Sequence, residues 1–80
     1  MSERPPAGDI PITLLGEGIT ARVSRLDEPG SQATAHLVAL GLLPGVEVTL
    51  LQRYPAFVMR VGHAEFAVDD ALARRIHVGR

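Results

Sequence analysis

The chain has 80 residues, 46% of them apolar and only 4% aromatic, with a formal net charge of −1, so it makes one small domain whose core is built from aliphatic side chains. There is no cysteine, which excludes disulfides, thiolate metal sites and thiol nucleophiles together. All eight basic residues are Arg, interleaved with acids, so a general electrostatic hold on nucleic acid is not expected. No apolar run reaches the ~20 residues that cross a bilayer, and the N-terminus has Glu3, Pro5 and Pro6 where a targeting segment has a basic region. A soluble cytoplasmic chain without direct membrane insertion is expected.

In chain order, residues 1–11 contain Pro5, Pro6, Gly8 and Pro11 with little to bury, which predicts a flexible N-terminal tail ahead of a domain spanning 12–80. Ile12 to Leu15 is a short apolar lead-in, and Gly16-Glu17-Gly18 a turn. From Ile19, apolar Ile19, Ala21 and Val23 alternate with Thr20, Arg22 and Ser24, the pattern of a half-buried strand. Ser31 is placed to cap a helix over Gln32 to Leu40, with Ala33, Leu37 and Leu40 on one face.

Gly41 then ends the helix, since glycine takes the left-handed conformation of a C-terminal cap without a Cβ penalty. Pro44-Gly45 supplies the preset φ and the positive φ of a type II turn. A second strand runs from Val46 to about Tyr54, where Pro55 interrupts it. Phe57 to Val61 is a third strand. Gly62-His63 is a two-residue connection of type II′ into a fourth strand, Ala64 to Val68. Asp69 caps one helical turn over Asp70 to Arg74, and Ile76 to Val78 forms a last strand. About five short antiparallel strands with one short α-helix and a C-terminal helical turn predict a mainly β fold. A small barrel closes edges that so few strands could not otherwise protect; an open α+β sheet fits the same periodicities.

Leu14-Leu15-Gly16-Glu17-Gly18, Ala21-Arg22-Val23 and above all Leu37-Val38-Ala39-Leu40-Gly41-Leu42-Leu43-Pro44-Gly45 resemble the FeoA family, accessory proteins of bacterial ferrous iron uptake. The last element is similar to the family's Leu-x-x-Leu-Gly-Leu-x-Pro-Gly, here carried by Leu37, Leu40, Gly41, Pro44 and Gly45. The resemblance runs from about Ile12 to Val78 and implies an SH3-like barrel. It also implies a partner, the cytoplasmic GTP-hydrolysing domain of the FeoB permease, and a place at the inner membrane through that partner. The same module ends DtxR-type metal-dependent repressors, so a free-standing domain that senses metal or regulates transcription is the alternative function. Two departures stand out: Ala35-His36 and Ala67-Val68 occupy positions where the family often has arginine.

His36, His63 and His77 share no i, i+4 pair, which argues against a preformed metal site, although a weakly bound divalent transition metal is allowed. Asp69-Asp70 reads as a cap and dipole partner in preference to an acid/base pair. Arg74-Arg75 fits either an acidic partner or the helix dipole. Ser2, Ser24 and Ser31 lie beside no base in the sequence, so catalysis is not expected. Leu42 and Leu43 are bracketed by Gly41 and Pro44, a turn that does not easily bury both. Either both fold back over the end of the barrel, or at least one is exposed as an apolar contact for a partner or a second copy. The expected contact face is His36, Leu42, Leu43, Arg53 and Tyr54.

Overall fold

A computed structural model describes residues 9–79. The element order is β1 (Ile10–Pro11), a 3₁₀ turn (Ile12–Leu14), β2 (Thr20–Leu26), α1 (Gln32–Ala39), β3 (Glu47–Gln52), β4 (Phe57–Val61), β5 (Ala64–Val68), α2 (Asp70–Ala73) and β6 (Ile76–Gly79). One antiparallel six-stranded sheet has the order β1-β6-β2-β3-β4-β5, and the fold is a mainly β, SH3-like barrel. The additional strand is β1. Ile10 and Pro11 pair with Val78 and His77, so the ladder starts two residues before the expected start of the domain at residue 12. The rest of the expected tail, residues 1–8, lies outside the described residues.

The alternation in β2 and β3 faces one core. Ala21, Val23, Val48 and Leu50 are buried with Met59, Val68, Ile76 and Val78. Ile12, the first residue of the 3₁₀ turn, and Leu15, just after it, are buried with them, which closes one end of the barrel with the segment after β1. No ring is fully buried; Phe57 and Phe66 pack against the core from partly exposed positions. The hydroxyl of Ser24 donates to Asp9 Oδ1 at 2.7 Å and to the His77 carbonyl at 3.0 Å, tying together the segment before β1, β2 and β6.

The caps form as the residue types require. Thr34 N donates to Ser31 Oγ at 3.1 Å and Leu72 N to Asp69 Oδ1 at 2.9 Å. The strand expected to reach Tyr54 ends at Gln52, with a register shift between Leu50 and Gln52. Between β4 and β5, Gly62 has φ +61° while His63 does not have positive φ, as a type II′ connection demands.

Candidate functional site

α1 ends in a complete Schellman motif. Gly41 takes φ +97°, its N–H donates to the Val38 carbonyl at 2.9 Å, and Leu42 N–H donates to the Leu37 carbonyl at 3.2 Å. This motif brings the side chain two positions past the cap onto the last helical turn, and here both members of that contact, Leu37 and Leu42, are 0% exposed. Leu42 is therefore a core residue, and its expected place on a contact face is corrected. The chain then turns at Pro44-Gly45, where Val46 N–H donates to the Leu43 carbonyl at 3.0 Å and Gly45 has φ +93°. Gly45 N–H donates to the Val23 carbonyl and Arg22 Nη1 to the Gly45 carbonyl, so the turn is fixed to β2. Held this way, Leu43 stays 46% exposed.

Val38, 40% exposed, lies beside this turn. It lines a shallow groove of about 280 Å³ with Arg25, Leu26, Pro29, Thr34 and Pro44. The one buried polar side chain in this lining, Thr34, has its hydroxyl donated to the Asp27 carbonyl, so the groove offers apolar surface and no free polar group on that floor. Val38 was not among the expected contact residues. Its signal was available: it falls about 100° round the helix from Leu37, at the margin of the buried stripe.

The other expected residues lie elsewhere. Arg53 N–H donates to Glu17 Oε2 at 2.9 Å and Arg53 Nη2 to the Thr13 carbonyl at 2.8 Å, which ties the segment after β3 to the 3₁₀ turn. Tyr54 (84% exposed) and Leu14 (65% exposed) adjoin those two anchored residues. Leu43 precedes β3 and Tyr54 follows it, so the six residues of that strand, about 20 Å of extended chain, separate them. His36 is exposed but sits about 200° round α1 from Val38, on the opposite flank of the buried stripe. The expected face is thus not one surface.

A third cluster lies at the end of β2. Asp27 Oδ1 is 2.7 Å from Arg25 Nη1 and 3.0 Å from His77 Nε2. The ring nitrogen is buried and makes no well-directed hydrogen bond, although it lies this close to the carboxylate. The His77 ring, and after it Arg25, hold the Asp27 carboxyl below its ordinary range against a smaller opposing effect of desolvation. Arg75 pairs with Glu28 and Arg74 with Asp70, each at 2.6 Å. Both arginines are thus engaged within the chain. Among the described residues no group of three or more His, Asp or Glu side chains is placed to hold a metal ion, and no helix is long and apolar enough to cross a membrane.

These features define a small SH3-like β-barrel domain whose exposed apolar side chains are concentrated at the two ends of β3. The chain belongs to the FeoA domain family, whose sequence pattern it matches over residues 10–80; the family carries an accessory role in ferrous iron transport. Among solved structures it is similar to the iron uptake regulatory protein FeoA, with 30% identity and a TM-score of 0.78, covering 86% of this chain and 92% of that one. It is also similar to IdeR of T. acidophilum, with 25% identity and a TM-score of 0.84, covering 96% of this chain but 36% of that one. FeoA of Stenotrophomonas maltophilia, a prokaryotic SH3-domain protein in complex with zinc, shares the fold at 23% identity and a TM-score of 0.74, covering 84% of this chain and 86% of that one. A comparison with curated proteins finds no match.

Proposed function

We propose that this protein is a noncatalytic accessory subunit of ferrous iron uptake that binds the cytoplasmic GTP-hydrolysing domain of a FeoB-type permease and modulates it. The observation that carries the reading is the apolar surface at the end of α1. A capped helix and a type II turn fixed to β2 hold Val38 and Leu43 in water, beside a groove lined by Leu26, Pro29 and Pro44. A rigid apolar surface loses little entropy when a partner covers it, which is how a small contact becomes specific. The described serines fit the noncatalytic part of the reading, because Ser24 ties the segment before β1 to β6 while Ser31 caps α1. Action at the cytoplasmic face of the membrane follows from the partner and needs no insertion of this chain.

The test is capture of the purified permease domain by this protein, with and without guanine nucleotide, using Val38→Ser with Leu43→Ser as the variant. Both side chains are partly exposed, so the changes weaken binding while leaving the fold. Tyr54→Ala, at the far end of β3, is the control that keeps binding. A second reading, a free-standing repressor-type domain, draws support from the likeness to T. acidophilum IdeR, though this chain spans about a third of that protein. It predicts saturable binding of a divalent transition ion, read by calorimetric titration and lost on substituting Asp27 or His77.

A further inference from the structure

The two ends of the sheet are unlike. At one end β1 is two residues long and contains Pro11, which blunts the edge, since a short strand with a proline offers little for another chain to pair with. At the other end β5 (Ala64–Val68) pairs with β4 along its whole length without a register shift, has no proline, and among the described residues bonds to no further strand. Its single charge, Glu65, lies 3.2 Å from Arg60 on β4, so the edge has no net charge to repel a second strand.

The phase of the hairpin says which groups face outward. Val61 and Ala64 flank the two-residue connection and are paired, so they exchange the backbone hydrogen bonds of a tight hairpin, and bonding alternates from there. Ala64, Phe66 and Val68 turn their N–H and C=O groups to β4. Glu65 and Ala67 turn theirs away, and no turn, loop or cap hydrogen bond among the described residues uses them. Phe66, on the core side, remains partly exposed.

We propose that the free edge of β5 pairs antiparallel with the same edge of a second copy of this chain, Phe66 against Phe66 across a twofold axis. This register sets Glu65 opposite Ala67 of the second copy and Ala67 opposite Glu65, so all four outward groups on each chain are bonded. Phe66 takes the non-hydrogen-bonded position, where facing side chains come closest and aromatic pairs gain most. Shifting by two residues in one direction puts Glu65 opposite Glu65. Shifting the other way puts Glu65 opposite Asp69. Charge therefore selects one register of the three that keep the bonding phase, and a self-complementary edge is what a twofold interface requires. The edge is only five residues long, so the dimer is reversible and concentration-dependent.

The test is sedimentation equilibrium of the full chain from micromolar to millimolar concentration, together with amide hydrogen exchange at both extremes. The wild type shows a reversible monomer–dimer equilibrium, and the Glu65 and Ala67 amides gain protection with concentration while that of Phe66 is protected throughout. Ala67→Glu sets like charges opposite each other twice and raises the dissociation constant by about tenfold or more. Glu65→Lys added to Ala67→Glu restores the dimer by setting Lys opposite Glu. Ala67→Pro, which removes an outward N–H and no bond to β4, is the second variant, its fold checked by circular dichroism. A protein monomeric at every concentration overturns the proposal. So does a dimer indifferent to these changes, or one in which the Glu65 and Ala67 amides exchange as freely as in the monomer.

Discussion

Truncating Leu42 and Leu43 separately to alanine distinguishes the two adjacent leucines. Leu42 is 0% exposed and packs in the same core as Leu37, Leu50 and Met59, whereas Leu43 is 46% exposed. Leu42→Ala removes three buried carbons and leaves a cavity, a loss of about 2–5 kcal/mol. At ~0.05–0.15 kcal/mol per residue, a chain of 80 residues has a total stability of about 4–12 kcal/mol, so one substitution takes a large part of it. For a domain of this size each kcal/mol moves Tm by about 4–8 °C, and Leu42→Ala therefore lowers Tm by at least about 8 °C. Leu43→Ala costs about 1 kcal/mol or less, because nearly half of the side chain already faces water. Thermal and urea unfolding followed by far-ultraviolet circular dichroism read both. Equal losses, or a larger loss for Leu43→Ala, would refute the assignment of Leu42 to the core and Leu43 to the surface.

Gly41→Ala is expected to cost about 1–2 kcal/mol from the left-handed backbone alone, since an added Cβ meets Val61 Cγ1 only at an ordinary 3.7 Å; urea unfolding measures it, and no loss would contradict the Schellman geometry. Asp27 has its pKa lowered in the folded state, so its contribution is present above the unfolded value, near pH 4, and is lost as pH falls through the lower folded value. Asp27→Asn should therefore be modestly less stable than the wild type at neutral pH, the difference shrinking below about pH 4; unfolding midpoints of the two proteins across that range check the sign.

The parts of the fold legible in the sequence are those whose physics is local. Gly62-His63 between two alternating runs names its own hairpin, and Ser31 and Asp69 each reach an amide three residues on. Gly41 marks the end of α1 for the same reason. The inward turn of Leu42 was also encoded locally, because a glycine past the cap brings the next residue back onto the helix, here onto Leu37. Pairing of β1 with β6 was not legible: two residues carry no periodicity, and their partners lie more than sixty positions away. The approach of His77 to Asp27 depends on the bulge between Val23 and Arg25, which sets the register of β2 on β6, and no local pattern announces it. The contact face was misjoined because alternation identifies β3 without showing that Leu43 and Tyr54 lie beyond its opposite ends.

The most direct test of the account is capture of the GTP-hydrolysing permease domain by the wild-type protein and by the Val38→Ser, Leu43→Ser double variant, with Tyr54→Ala alongside and unfolding curves confirming that all three fold. The account predicts that the wild type and Tyr54→Ala bind and that the double variant loses binding while staying folded. A folded double variant that binds as well as the wild type, or a wild type that binds in no nucleotide state, would contradict it.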